Sequence, residues 1–252
     1  MEFWIWLSML PYIGTVTANR LLEHFGDPLR VYHAGISELM EIKGITKIQI
    51  QSFLNNKSLE KVYRILDFCE KKKISILLQN NVLYPKRAKV LYDSPIVLYY
   101  KGNLMEMEKT VAIVGARRCT QEAKFQTVDV TEQCVAKGKT IISGMAKGID
   151  SYAHTACLKA GGYTVAIVGN GLDICYPSEH KKLMECIMEN GLLLSEYPPG
   201  TKTTKYTFPR RNRLISAWSD EIIVIAPGKG SGALITAEYG KKYGRKVEIM
   251  EF

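Results

Sequence analysis

A chain of 252 residues can form one large domain or two ordinary ones, and 46% apolar against 23% charged residues excludes a disordered polypeptide. Lysine and arginine outnumber aspartate and glutamate by 34 to 25, a net charge of +9 that favours a polyanionic partner such as nucleic acid. Six cysteines without a C-x-x-C pair or a histidine cluster exclude a readable metal site or disulfide framework and predict reduced thiols.

The N-terminus is apolar from Phe3 to Leu10, but Glu2 stands where a secretion signal is basic, and Pro11 and Gly14 end the run. No other stretch is long enough to cross a bilayer, so a soluble, cytoplasmic protein with no membrane partner is expected. Residues 1–66 read as a small all-helical N-terminal domain. Within it Leu10–Leu22 and Ile42–Phe53 share one plan: apolar residue, glycine turn, amphipathic helix. The plan resembles paired helix-hairpin-helix (SAM-like) modules, whose hairpin amides contact DNA phosphates. Each copy has one glycine where that motif carries two, with Tyr12 and Lys43 in the other place. Glycine is what permits close backbone approach, so DNA contact and a packing or protein-interaction role both stay open.

Residues 67–108 change character. Ile74–Leu78 and Pro95–Tyr100 are strand-like, with turn punctuation at Tyr84-Pro85 and Asp93-Ser-Pro95. The segment reads as a connector adding edge strands to the following sheet, and Lys71, Lys72, Lys73, Lys86, Arg87 and Lys89 as its solvated face.

From 109 to 252 the period is βα. Strands are predicted at Val111–Ala116, Thr140–Ser143, Thr164–Val168, Leu192–Glu196, Glu221–Ala226 and Lys246–Glu251, with helical patterns between them. Alternation of this kind predicts an α/β fold, an extended Rossmann-like parallel sheet with helices on both faces. Ligands of such sheets bind outside the carboxyl ends of the strands.

Those ends carry an anion-binding vocabulary. Gly115-Ala-Arg-Arg118 is not G-x-G-x-x-G, and no acidic residue closes the second strand, which argues against an NAD-type cofactor; none is expected. Arg117 places a charge where a phosphate would sit. Ser143-Gly-Met-Ala-Lys-Gly-Ile-Asp150 brings Ser143, Gly144, Lys147 and Gly148 to a helix start, where amides and an ammonium converge. Gly169-Asn-Gly-Leu-Asp173 makes a tight turn around Asn170. Pro227–Thr236 repeats the pattern with Lys229, Ser231 and Gly232.

Between the fourth and fifth of these strands lies Thr207–Ser219. Pro209 predicts a helix start, and Leu214, Ala217 and Trp218 face a core. Arg210, Arg211 and Arg213 then crowd the opening turn, where the helix dipole is already positive. An external polyanion would complete that arrangement, with Phe208 as a face for an unpaired base. The alternative is a solvated basic face with Phe208 in the core.

Asp150 and His154, four residues apart, could touch on a helix, but no nucleophile stands beside them; a helix-start aspartate and a packed histidine are expected, not an enzyme. Pro227–Glu238 is similar in outline to the P-G-G-x-G-T-x-x-E motif of phosphoribohydrolases, which keeps open a nucleotide-binding or nucleoside-monophosphate-cleaving alternative. Lys229 interrupting the second glycine and the longer spacing to Glu238 argue against it.

Five motifs in order, Gly115-Ala-Arg, Ser143–His154, Ser195-Glu-Tyr-Pro-Pro-Gly200, Phe208-Pro-Arg-Arg-Asn-Arg213 and Ser231–Ala237, resemble the signature set of the DNA-processing protein A family (DprA, also called Smf). The resemblance runs from about Ile74 to the end. It implies a Rossmann-like protein that binds single-stranded DNA without strong sequence preference, acts as a homodimer, protects incoming DNA in natural transformation and loads the RecA recombinase. Carried over by position, the DNA-binding residues are Arg117, Lys147, Phe208, Arg210, Arg211, Arg213 and Lys229, helped by the loops at Ser143, Gly144, Gly148, Ser231 and Gly232, with polar contacts from Asn170 and Asn212. Ala116 stands where the family commonly has serine, removing one hydroxyl. The family continues beyond the strand at Phe252 with a proline-glycine turn and further helix, so the resemblance implies either that the 109–252 domain is truncated there or that the last cover of its sheet is missing.

Overall fold

The computed structural model describes residues 1–228 and 230–251. Six helices open the chain: α1 (Glu2–Met9), α2 (Thr15–Phe25), α3 (Pro28–His33), α4 (Ile36–Met40), α5 (Lys47–Asn55) and α6 (Glu60–Lys71). Sequence punctuation sets their limits. Asp27 caps α3 through its side chain with Pro28 behind it, and Thr46 and Gln49 form a reciprocal capping box at α5. Tyr12 adopts the left-handed conformation that favours glycine (φ 63°), and its carbonyl accepts a hydrogen bond from Gln49 Nε2 at 3.1 Å, joining the turn before α2 to α5.

β1 (Ser75–Leu78), the short α7 (Lys86–Lys89) and β2 (Val97–Gly102) follow. The alternating unit then runs β3 (Thr110–Gly115), α8 (Gln121–Ala136), β4 (Thr140–Ser143), α9 (Ile149–Lys159), β5 (Thr164–Val168), α10 (Lys181–Asn190), β6 (Leu192–Ser195), α11 (Thr207–Trp218), β7 (Glu221–Ile225), α12 (Gly232–Lys242) and β8 (Lys246–Met250). Among the described residues, these eight strands join one sheet in the order β1-β2-β6-β5-β4-β3-β7-β8. It is parallel from β6 to β8, while β1 and β2 extend it antiparallel. The α/β expectation therefore holds, with a mixed sheet at one margin.

The inner strands are aliphatic at nearly every position because both faces are covered. Side chains alternate across the pleat: Val111 and Ile113 pack with Ile149, Ala153 and Cys157 of α9, whereas Ala112 and Val114 pack with Leu214, Trp218 and Ala237 of α11 and α12. A third cluster runs from Ile5, Leu21 and Phe53 of the helical segment to Val97, Tyr99 and Leu193 of the sheet. Asn19 stitches the same seam, donating to the Ser94 carbonyl and accepting from Gln79, both at 2.7 Å.

Among the connector's cations, Arg87 departs from the solvated face expected of it. It pairs with Asp220 at 3.0 Å and donates to Thr110 Oγ1, because a guanidinium fork can satisfy several acceptors where the sheet meets the connector. No helix among the described residues is long and apolar enough to cross a membrane.

Candidate nucleic-acid interface

β4, β5 and β6 lie on one side of β3 while β7 and β8 lie on the other, so the loops after β3 and β7 diverge and open a crevice. A cavity of about 540 Å³ occupies it, with Arg117, Arg118, Lys205, Phe208, Ser231 and Gly232 on its walls. A smaller one of about 60 Å³ adjoins it, and reaches Gly144, Lys147, Gly169, Asn170 and Tyr176. Arg117, Phe208 and Arg211 border both. Strand ends far apart in sequence thus meet at one rim.

Phe208 is half-buried and forms the ridge between the cavities. The Arg117 guanidinium lies 5.4 Å from its ring centroid, and Tyr176 packs against it at 5.5 Å. Arg117, Arg118 and Lys205 are exposed and form no salt bridge among the described residues. Lys147 is also exposed but pairs with Glu179 at 2.5 Å, and its hydrogen bond holds that carboxyl below its usual range. Ser231 caps α12, its hydroxyl accepting from the Ala233 amide at 3.3 Å, with Gly232 in the first turn.

The arginine run divides in a way its sequence did not predict. α11 begins at Thr207, two residues before Pro209, because Thr204 accepts from the amides of Tyr206 and Thr207 and turns the chain early. Arg211 and Arg213 are each only 5% exposed, so the expectation that all three arginines await an outside polyanion is corrected for these two. Arg211 donates to the carbonyls of Gly144 and Ile167 (2.6 Å to the latter) and to Asn212 Oδ1. Burial pulls its pKa down, against the attraction of Asp150. Arg213 Nη2 donates to both Glu196 oxygens at 2.8 and 2.7 Å, and Nη1 to the Asp93 carbonyl at 2.6 Å. Burial opposes the Arg213 charge, but Glu196 and Asp93 together outweigh it and raise the pKa. Arg210 is half-exposed, pairs with Glu196 at 2.9 Å and borders a separate 120 Å³ cavity against the N-terminal end of α2.

Three more candidates spend their polar atoms internally. Ser143 donates to the Ile113 carbonyl at 2.7 Å, Asn170 to Gly171 and Ile174 carbonyls at 2.9 and 2.7 Å, and Asn212 to the Gly232 carbonyl at 2.8 Å. Side chains that bury polar atoms must find such partners, so each braces a loop. Gly144 and Gly148 serve close approach: a Cβ would collide with the Arg211 guanidinium at the first and the Ala116 carbonyl at the second, where φ is also 79°. Lys229 lies outside the described residues.

Asp150 and His154 form no mutual hydrogen bond among the described residues. Asp150 Oδ2 accepts from the amides of Gly144 and Ala146 at 3.1 and 3.2 Å; burial raises its pKa, opposed by Arg211. His154 is buried with Nδ1 at 2.7 Å from Thr164 Oγ1, and desolvation depresses its pKa to about 3. Both are structural groups. Glu238 is exposed and does not line the crevice, so the phosphoribohydrolase-like outline lacks its carboxylate there. Sequence reading missed Lys205, Arg118 and Tyr176. The signal available was basic and aromatic interleaving in Lys202–Phe208 and a second arginine after Arg117.

A Rossmann-like sheet with a cationic, aromatic-ridged crevice at its switch point defines the class of protein. The family model for DNA recombination-mediator protein A matches residues 75–251, and the chain belongs to that family. It is 34% identical to Protein Smf of Synechocystis over 97% of this chain and 63% of that protein. Against DNA processing protein DprA of Streptococcus pneumoniae it is 42% identical, over 65% of this chain and 58% of that one. It thus spans about three-fifths of the length of these relatives. Among solved structures, DNA processing protein A from S. pneumoniae superposes with a TM-score of 0.81 at 32% identity, covering 99% of this chain and 86% of that one. The Helicobacter pylori protein, described for its unique single-stranded DNA binding mode, gives 0.64 at 33% identity over 70% of this chain and 80% of its own.

Proposed function

We propose that the crevice at the ends of β3 and β7 binds single-stranded DNA, and that the protein is a non-enzymatic mediator of recombination. The observation that carries this is the meeting of Arg117, Arg118 and Lys205 around the half-buried Phe208, cations for the phosphates beside a ring on which a base can stack. Single-stranded DNA binding by the H. pylori relative supports the same reading. Lys147 joins when phosphate competes it away from Glu179, and Arg210 extends the track toward the helical domain. In the finer form of this reading the strand is handed to the RecA recombinase during transformation, in the cytoplasm and by a homodimer; family membership supports it. Glycine-loop amides and Lys229 are proposed as lesser contacts.

Fluorescent oligonucleotides, single and double stranded, titrated at two salt concentrations provide the test. Tighter binding of the single strand, weakening with salt, is expected. Equal affinity for both forms, or none for either, refutes the assignment.

A further inference from the structure

Outside the crevice, Arg117 and Arg118 lead directly into α8, whose start Thr120 fixes by accepting from the Ala123 amide at 3.1 Å. The start of α9 abuts the same loop. Its Ile149 amide donates to the Ala116 carbonyl at 3.1 Å, and a Cβ on Gly148 would collide with the main chain of Ala116 and Arg117. The opening turns of α8 and α9 thus form a ledge beside the crevice mouth.

Two side chains on this ledge contribute nothing to the core. Phe125 of α8 is 70% exposed, and among the described residues no other large apolar side chain of that helix is exposed. Lys124, next to it, forms no salt bridge among the described residues. Its ammonium is held instead over the ring of Tyr152 in α9, 5.6 Å from the centroid. Helical Cα–Cβ bonds tilt toward the N-terminus, which in α8 is the end joined to the two arginines. Glu122 is the acidic residue of that first turn, against the charges of Arg117, Arg118 and Lys124. A protein interface gathers several apolar side chains at its centre, and this ledge offers one ring among cations. Cations for a backbone and a flat face for an unpaired base are what a single strand requires.

We propose that this ledge is a second station for a single strand leaving the crevice past Arg118. Phe125 stacks a base, Lys124 meets a phosphate, and Tyr152 positions the lysine. The proposal deepens the single-strand reading and rests on it, but its residues lie outside the crevice, so the two can fail separately.

Fluorescence anisotropy with labelled single strands of roughly 4–16 nucleotides, the span of one binding module, tests the proposal. Phe125→Ala should weaken the longest strands roughly fivefold or more, as for one stacked base, with a loss that grows with strand length. Phe125→Trp should restore the affinity, whereas Phe125→Leu, apolar but not flat, should not. Lys124→Ala should flatten the logarithmic salt dependence by about 0.7. Tyr152→Leu should do the same in the parent and add nothing to Lys124→Ala, because it acts through the lysine. If Phe125→Ala, folded by its melting curve, binds strands of every length as tightly as the parent, the ledge is overturned; weakened binding in Arg117→Ala would then leave the crevice standing. Loss in Phe125→Ala with none in Arg117→Ala keeps the ledge and overturns the crevice. A parent that binds no strand overturns both.

Discussion

Arg213→Ala separates an architectural arginine from those proposed to contact DNA. The parent side chain is 6% exposed and makes three short hydrogen bonds, two to Glu196 and one to the Asp93 carbonyl. Its removal leaves Glu196, itself 9% exposed, with Arg210 as its remaining charge partner. Breaking a buried ion pair from one side costs about 3–5 kcal/mol, because the abandoned charge stays desolvated. Arg210 screens part of it, so the lower half of that range is expected. For a chain of this size that lowers Tm by roughly 6–15 °C. Urea unfolding gives the free energy directly, provided the m-value is unchanged. A double replacement, Arg213→Met with Glu196→Leu, should regain much of the loss, since the penalty lies in the unpaired charge and not in the missing pair. At a temperature where Arg213→Ala is folded, its affinity for single-stranded oligonucleotides should stay near the parent's. Parent-like stability with abolished binding would refute this division of the arginines.

Three other outcomes follow from the same geometry. Arg117→Ala and Lys205→Ala should each weaken single-strand binding across sequences and flatten its logarithmic salt dependence by about 0.7 per lost phosphate contact; salt titrations by anisotropy read this. Phe208→Ala should cost about 1–3 kcal/mol of binding if a base stacks there, with little change in salt slope. His154 gives a pH signature: its folded pKa of about 3 lies below its ordinary 6.5, so between those values the unfolded chain binds the proton and the folded chain does not. Its stabilising contribution is complete above 6.5 and falls by about 1.4 kcal/mol per pH unit below it. Asp150, with its pKa raised, works in the opposite direction at lower pH. Urea midpoints at pH 7 and 5, in the parent and in His154→Gln, isolate the histidine's share.

The sheet was legible because its strands are near-continuous aliphatic runs separated by helical periods, a pattern fixed by burial on both faces. Predicted and observed strand limits differ by a residue or so: the run predicted at Leu192–Glu196 ends at Ser195, for example. Arginine partners were not legible. Glu196 lies fourteen and seventeen residues before the arginines it binds, and apart from the adjacent Asn212 side chain the other acceptors are main-chain carbonyls of Gly144, Ile167 and Asp93, which every residue type carries. A charge in a sequence states its sign, not its acceptor. Lys205 was obscure for the converse reason: the basic and aromatic interleaving of Lys202–Phe208 does not say which lysine counts until the fold brings Lys205 beside Phe208 and Arg117.

Burial of two arginines also explains how the exposed residues are held. Arg211 ties α11 to the end of β4 through Gly144 and to β5 through Ile167, while Arg213 ties it to β6 through Glu196 and to the connector through Asp93. These bonds fix α11 against three strand ends, and Phe208 sits in its first turn. A stacking ring is effective only if it need not be ordered at the moment of binding, since immobilising a loose side chain consumes part of the contact energy. The glycine loop after β4 is bound in the same framework, its Gly144 and Ala146 amides taken by Asp150. Those two amides are therefore committed before any ligand arrives. In the proposed function, anion recognition therefore rests on the side chains at the β3 and α11 approaches, with the α12 N-terminus beside them. The basic run thus lies at two depths: Arg211 and Arg213 hold the frame from inside, and Arg210 stays at the surface.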